Sequence, residues 1–271
     1  LHDSMVKRGK RVTAGWTWHR NMALTHELTP KKHFIDVAKP LFCEDSPLPV
    51  HPYLLGLWLG DGQTDEPQIC PGNEDLLEIR DTLVSLGYQL GQNKSYRPDE
   101  HATFAVLGVR HLFRQIGVLG QKHVPKSYLR ASVDQRWALL RGFMDSDGSI
   151  GKSNKQCSYT TTNVFIAEGF KELVRSLGIR LSVCKREGRR SKLVGDDSIL
   201  LPFWQFSFSC YSDEPAFGLK RKQALLPRAT ENRRRTKRHS IVSVEEVPSV
   251  PLQCIGIDTP THLFLCGESM I

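Results

Sequence analysis

The 271-residue chain has no long hydrophobic run and few features of a secreted or zinc-stabilised protein. No stretch reaches the roughly 20 consecutive apolar residues that a transmembrane helix needs, so the sequence predicts no membrane span. It also lacks a secretory signal peptide. Its seven cysteines are odd in number and scattered, without the CxxC pairs typical of zinc sites. We therefore expect reduced thiols in an intracellular protein, in the cytoplasm or nucleoid.

The charge balance is basic, with 37 Lys and Arg against 29 Asp and Glu and a formal net charge of +8. Such a balance favours a polyanionic partner such as nucleic acid, although charge alone is not specific for one. With 39% hydrophobic residues, the chain is long enough for one or two domains with a substantial core. It begins with Leu1 rather than Met, so we expect a fragment or a processed piece.

Two short segments organise the sequence: residues 54–62 (LLGLWLGDG) and residues 140–148 (LRGFMDSDG), 86 residues apart. Each interleaves apolar with small residues and ends in Asp-Gly. The small residues that recur four apart are Gly56 and Gly60 in the first segment and Gly142 and Ser146 in the second. Residues at this spacing share one helix face, and small side chains let two helix backbones approach closely. The sequence therefore predicts two helices packed through these faces.

Helix-start and helix-stop residues flank both segments. Pro52 suits the first helical position, where its missing N–H is not needed. Ser132 and Gln135 have the spacing of a capping box. Gly62 and Gly148 are typical helix stops.

The predicted packing places Asp61 and Asp147 together at the C-terminal ends of the two helices. A helix C-terminus carries partial negative charge, and neighbouring carboxylates repel each other, so this placement is unfavourable by itself. A divalent cation between them would reverse both effects, and Mg²⁺ suits one or two carboxylates with substrate phosphates. An ordinary turn is the alternative for a single Asp-Gly, but two copies with the same small-residue spacing favour the cation site.

These segments resemble the paired LAGLIDADG motifs of dodecapeptide homing endonucleases, and the flanking sequence resembles the intein-borne members of that family. The resemblance covers most of the chain. It implies an α+β fold of two αββαββα-like repeats, packed through their motif helices, whose strands form a saddle for duplex DNA. The repeats correspond to residues 47–130 and 131–225 of a nuclease domain at 47–225. Mainly β segments derived from a splicing (Hint) domain are expected at 1–46 and 226–271.

The resemblance implies a monomer with internal pseudo-twofold symmetry that makes a site-specific double-strand break by phosphodiester hydrolysis. Mg²⁺ is the implied cofactor, with Mn²⁺ or Ca²⁺ as substitutes, and double-stranded DNA the implied partner. The predicted metal ligands are the side chains of Asp61 and Asp147 and the backbone carbonyls of Gly60 and Ser146. Asp145 is not included, because its counterpart in the first segment is Leu59.

Two lysines complete the catalytic set that the resemblance implies. Lys122, within Lys-x-Val-Pro, matches the lysine block of the first half. Lys222 and Lys220 are both candidates in the second half, and Lys222 is preferred because it follows a Phe-x-Leu-x-Arg pattern. A cation beside the scissile phosphate would orient water and offset developing charge.

Base recognition is expected from polar side chains on the saddle strands, and phosphate contacts from nearby basic residues. The predicted DNA-contacting residues are Gln156, Ser158, Thr160, Thr162, Gln205, Ser207 and Ser209 on strands, Arg97, Arg186, Arg189 and Arg190 on loops, and Lys220 and Arg221 in a basic cluster.

Hydrophobic periodicity and turn residues predict further elements. Helices are expected at 74–86, 111–116 and 164–177, and strands at 33–37, 101–109, 156–162, 203–209, 241–244, 254–258 and 262–265. The echo between SLGYQL (85–90) and SLGIRL (176–181) supports an internal repeat.

Two alternatives stay open at this point. One is a catalytically inactive nucleic-acid-binding protein on the same fold, such as a maturase or regulator; the other is a decayed protein-splicing element. Both aspartates are present, which favours cleavage. Asp258 and His262 match splicing-assisting positions, but the terminal His-Asn pair and the N-terminal Cys or Ser are absent, so we expect no splicing from the chain as written.

Overall fold

The computed structural model describes residues 5–12, 15–22, 25–93, 102–153, 155–187, 201–229, 238–251, 256–258, 264–268 and 270. The helices are α1 (Pro52–Asp61), α2 (Leu76–Ser85), α3 (Arg110–Gln115), α4 (Lys126–Leu129), α5 (Val133–Ser146), α6 (Val164–Ser176) and α7 (Lys220–Gln223). The strands are β1 (Met5–Val12), β2 (Gly15–Met22), β3 (His33–Asp36), β4 (Gln68–Ile69), β5 (Phe104–Ala105), β6 (Ser149–Ile150), β7 (Cys157–Thr161), β8 (Ser182–Arg186), β9 (Phe203–Phe208) and β10 (Arg238–Ser240). None of the helices in these ranges is long and apolar enough to cross a bilayer. The α+β fold class is confirmed.

The chain divides into two compact units: Leu1–Lys39 with Thr236–Ile271, and Pro40–Arg235. The first unit contains an antiparallel sheet with the order β10-β3-β1-β2. Because β10 pairs with β3, segments from the two ends of the chain meet in one sheet, and the second unit is inserted between them.

The structure corrects three strand predictions in the first unit. The strand expected at 241–244 is wrong: β10 ends at Ser240, and the exposed Val242 and Val244 have no apolar face to cover. Positions 256–258 and 264–265, parts of two other predicted strands, have no strand structure. The remainder of those two segments lies outside the described residues.

Helices α1 and α5 form the centre of the second unit. A Cβ added at Gly56 would lie 2.2 Å from the carbonyl oxygen of Leu139, and one at Gly142 would lie 2.3 Å from that of Tyr53. These distances are far below van der Waals contact, so only glycine permits the observed approach of the two backbones. As predicted, α1 begins at Pro52, and a complete capping box starts α5 at Ser132.

Gly62 and Gly148 follow the two helices for a different physical reason from the one that the sequence suggested. Gly62 has φ −82° and ψ 156°, an extended conformation open to any residue. A Cβ there, however, would lie 2.3 Å from the Trp58 carbonyl oxygen, and one at Gly148 would lie 2.5 Å from the Met144 oxygen. Both glycines are therefore required by close approach to the preceding helical turn.

The second unit contains two halves with a similar order of elements, the first half having the additional helix α4. The second half runs α5-β6-β7-α6-β8-β9-α7, with sheet order β6-β7-β9-β8. The first half runs α1-β4-α2-β5-α3-α4, with isolated bridges Gly62–Ile69 and Leu90–Val106 where the second half has β6 and β8. In each half, a left-handed glycine follows the C-cap residue of the second helix: Gly87 (φ 87°) after α2 and Gly178 (φ 69°) after α6.

We predict that Gly142→Ala destabilises the protein by about 3 kcal/mol, because the new methyl group meets backbone atoms of α1 that cannot move aside. Gly72→Ala is the matched control, since its Cβ would meet no atom closer than 3.9 Å. The control is expected to change the free energy of unfolding by less than about 0.5 kcal/mol. Urea denaturation of both variants measures the difference, and equal effects would contradict the packing argument.

Candidate functional site

Asp61 and Asp147 meet where α1 and α5 end. Asp61 is the last residue of α1, and Asp147 is the C-cap of α5. Their carboxyl groups lie within hydrogen-bonding reach of each other. Burial, followed by the charge of Asp147, raises the pKa of Asp61 to about 7, and burial raises the pKa of Asp147. Near neutral pH the pair therefore holds a proton that a cation can displace.

Lys122 closes the C-terminal end of α1. Its Nζ donates to the carbonyl oxygens of Trp58 (2.8 Å), Leu59 (3.1 Å), Gly60 (3.4 Å) and Gly62 (2.6 Å). It also lies 4.8 Å from the centroid of the Trp58 ring. A cation compensates the partial negative charge of the carbonyls at this helix end. Burial lowers the pKa of Lys122 to about 8, against the opposing charges of Asp147 and Asp61.

Lys222 repeats this arrangement at the end of α5. Its Nζ donates to the carbonyl oxygens of Met144 (3.0 Å), Asp145 (2.8 Å), Ser146 (3.3 Å) and Gly148 (2.9 Å). Each acceptor lies 86 residues after its counterpart around Lys122. Both lysines are 8% exposed, and burial lowers the pKa of Lys222. Of the two second-half candidates, the structure therefore brings Lys222 to the aspartate pair, while the side chain of Lys220 is exposed.

The predicted carbonyl ligands, on Gly60 and Ser146, lie beside the same aspartates. They make the longest of the four contacts to each lysine, 3.4 Å and 3.3 Å. Within the described ranges, no group of three His, Cys, Asp or Glu side chains is placed to hold a metal ion. A cation here would depend on two carboxylates, backbone carbonyls and oxygens from a substrate phosphate. That donor set is the one Mg²⁺ favours.

Asp145 is a buried carboxylate with a structural role that the sequence did not indicate. Its oxygens accept hydrogen bonds from the Tyr53 hydroxyl (2.9 Å) and from the backbone N–H groups of Gly218 (3.0 Å) and Leu219 (3.1 Å). It thereby holds the residues that lead into α7. Burial raises the pKa of Asp145 to about 6.

One face of the second-half sheet gathers most of the predicted base-reading residues. Ser158 pairs with Ser207, and Thr160 pairs with Gln205, while the alternate residues of β7 and β9 face the core. Arg186 opposes Phe203 in β8, in register with the same face. Gln156 and Thr162 flank β7 outside the strand. Arg97, Arg189 and Arg190 lie outside the described residues.

The two basic residues predicted to contact DNA at α7, Lys220 and Arg221, differ in their contacts. The Arg221 guanidinium donates to both carboxylate oxygens of Asp75, each at 2.6 Å, and pairs with Glu74 at 2.7 Å. Arg221 is therefore engaged with carboxylates of the protein itself. The backbone N–H of Lys220 donates to Glu78 at 3.0 Å. The side chain of Lys220 is exposed at the surface.

We predict that Asp145→Asn lowers the free energy of unfolding by about 2 kcal/mol, because the amide cannot satisfy all three donors that meet the carboxylate. Asp81→Asn, on the exposed side of α2, is the control and should change it by less than about 0.5 kcal/mol. Thermal or urea unfolding measures both. An unchanged Asp145→Asn variant would contradict the assignment of Asp145 as the support for α7.

Comparison with known proteins identifies proteins that are similar to this chain. Residues 134–198 match the family model described as a LAGLIDADG-like domain. The replicative DNA helicase DnaB of Mycobacterium intracellulare is 30% identical over 240 residues, covering 88% of this chain and 37% of that protein. The homothallic switching endonuclease of Saccharomyces cerevisiae is 28% identical over 173 residues, covering 53% of this chain and 30% of that protein. The chain thus spans about a third of the length of these curated relatives.

A solved structure of the homing endonuclease I-DmoI in complex with DNA and Mn is also similar, with a TM-score of 0.38 and 14% sequence identity, covering 59% of this chain and 89% of that one. The 240-residue match to the helicase is longer than the Pro40–Arg235 unit, so it includes part of the other unit. The family match includes most of α5 together with Asp147. Residues 134–198 of this chain therefore match a LAGLIDADG-like domain, in agreement with the resemblance of its second motif segment.

Proposed function

We propose that this chain is a site-specific DNA endonuclease of the homing type, which hydrolyses both strands of a duplex in a reaction that requires a divalent cation. The observation that carries the proposal is the meeting of Asp61 and Asp147, each beside a lysine held by an equivalent set of carbonyl oxygens. Two equivalent half-sites suit two antiparallel DNA strands. The relative named as an endonuclease supports the same conclusion.

The proposed roles follow from the chemistry of phosphodiester hydrolysis, which needs an activated water and stabilisation of charge on the leaving oxygen. Mg²⁺, when bound by the aspartates and the carbonyls of Gly60 and Ser146, would supply Lewis acidity and activate water. Asp61 and Asp147 hold the negative charge that attracts the cation. Lys122 and Lys222 place positive charge at fixed positions near the phosphate, and the carbonyls that hold them limit their movement.

The open face of the second-half sheet is proposed to contact DNA. Its side chains combine hydroxyls, an amide and a guanidinium, all of which can bond to base edges or phosphates. The members on the described strands are Ser158, Thr160, Gln205, Ser207 and Arg186. Lys220 is added because its ammonium group is at the surface.

The first unit is proposed to derive from an intein splicing domain that carries the endonuclease as an insertion. The flanks resemble such a domain in sequence, and the pairing of β3 with β10 joins the two flanks across the insertion. Because both half-sites are in one chain, we propose that a monomer is sufficient for cleavage.

The first test is cleavage of a randomised duplex library in Mg²⁺ and in EDTA, with Asp61→Asn and Asp147→Asn beside the unmodified chain. We expect metal-dependent double-strand cuts at one long site, reduced at least about 100-fold in both variants, because each loses a carboxylate that binds the cation. Asp81→Asn should cut normally. Tight, salt-sensitive DNA binding without cuts in Mg²⁺, Mn²⁺ or Ca²⁺ would contradict the endonuclease proposal and indicate a DNA-binding protein instead.

A second test concerns the open sheet face. We predict that Arg186→Gln weakens binding to the selected duplex and lowers the slope of log affinity against log salt by about 1, because one phosphate contact is lost. Arg114→Gln, on α3 rather than on the sheet, removes the same charge as a control. Fluorescence anisotropy at several salt concentrations measures both slopes. Equal slopes for the two variants would exclude Arg186 from the DNA interface.

A further inference from the structure

Helix α7, which carries Lys222, has only four residues and depends on contacts outside itself. On its N-terminal side, Asp145 accepts from the N–H groups of Gly218 and Leu219. Gly218 permits this contact, because a Cβ there would lie 2.5 Å from an oxygen of Asp145. Gln223 donates to the carbonyl oxygens of Ser212 and Glu214 within the same half. Lys220 and Arg221, in contrast, contact α2 and its N-cap in the first half.

Asp75 links the start of α2 to α7 through an ion pair with Arg221. It stands at the N-cap of α2, but its side chain makes no cap hydrogen bond to that helix. Instead, its side chain, 7% exposed, forms a two-bond ion pair with Arg221, in which both N–O distances are 2.6 Å. Two parallel bonds between a guanidinium and a carboxylate fix orientation as well as distance. The residue next to Lys222 is therefore held in a defined direction from the opposite half.

Lys122 is supported from the opposite half by other groups. Asn163, the N-cap of α6, donates its Nδ2 to the backbone oxygen of Lys122 at 3.2 Å. The Trp58 ring lies beside its ammonium group, whereas the residue 86 positions later is Met144. The two lysines thus reach equivalent positions through different supports, and an ion pair between the halves lies beside Lys222.

We infer that Arg221 and Asp75 form a positioning pair for Lys222, so that this ion pair controls the half-site of Lys222 without affecting that of Lys122. Neither residue touches the aspartate pair. Given the proposed endonuclease function, on which this inference rests for its catalytic consequence, loss of the pair slows cleavage of one DNA strand selectively. An enzyme without the Arg221–Asp75 ion pair then cuts one strand of the duplex before it cuts the other.

A chemical test reads the positions of the two lysines without requiring cleavage. Reductive methylation followed by peptide mass spectrometry gives the modification rate of each lysine in the unmodified chain, in Asp75→Asn and in Arg221→Gln. We expect Lys222 to react about tenfold faster in both variants, because the two parallel bonds that fix the neighbouring Arg221 are lost. Lys122, equally buried in the same molecule, should change by less than about twofold. Equal rates for Lys222 in all three proteins would overturn the inference.

The catalytic test uses a duplex labelled differently on each strand, with the selected target site. For Arg221→Gln we expect nicked product to accumulate, with the rate for one strand lowered about tenfold and the other unchanged. Arg221→Lys keeps the charge but not the two parallel bonds, so it should restore the lost rate only in part. Equal slowing of both strands would show a general structural role and would overturn strand control.

Arg110→Gln is the matched control, because it breaks another arginine–carboxylate pair, with Glu66, on the exposed surface of the first half. It should leave both lysine modification rates and both strand rates unchanged. The outcomes also separate the two proposals. If the unmodified chain cuts no DNA, the endonuclease proposal fails while the methylation result still decides the positioning pair. If it cuts and Arg221→Gln behaves as Arg110→Gln does, only the positioning inference fails.

Discussion

The close contact between the backbones of α1 and α5 is the constraint on which the site depends. Glycine at positions 56 and 142 removes the side chains that would separate the helices, and the missing Cβ atoms leave each backbone against a carbonyl of the other. The consequence appears at the ends of the helices, where Asp61 and Asp147 are forced together in a partly buried space. A packing requirement thus produces an electrostatic problem, since two carboxylates and two helix C-termini all present negative charge at one point.

Two buried ammonium groups counter part of that charge. Each lysine donates to carbonyls at the end of a helix, so the cost of burying the ammonium is offset by several hydrogen bonds at once. The lysines lie at the carbonyls rather than between the carboxylates. They therefore reduce the repulsion from the carbonyl side, while burial, followed by the charge of Asp147, still raises the pKa of Asp61.

Local signals in the sequence predicted the motif helices, their starts at Pro52 and Ser132, and the convergence of the aspartates, because each signal lies within one or two helical turns. The roles of Asp145 and Arg221 had no such signal. Their partners are 73 to 146 residues away in sequence, and only the folded chain brings them together. The wrong strand at 241–244 has a related cause: its β-branched residues favour an extended chain, but the register with β3 decides where the strand ends.

The two halves show which features the geometry requires and which it leaves free. The carbonyl set around each lysine is repeated residue for residue, whereas the groups that deliver the lysines are not: an amide and an indole ring serve Lys122, while a carboxylate and an ion pair serve Lys222. Chemically unrelated groups thus support two ammonium groups that make the same set of contacts. The constraint therefore acts on the position of the ammonium group rather than on the chemistry of its support.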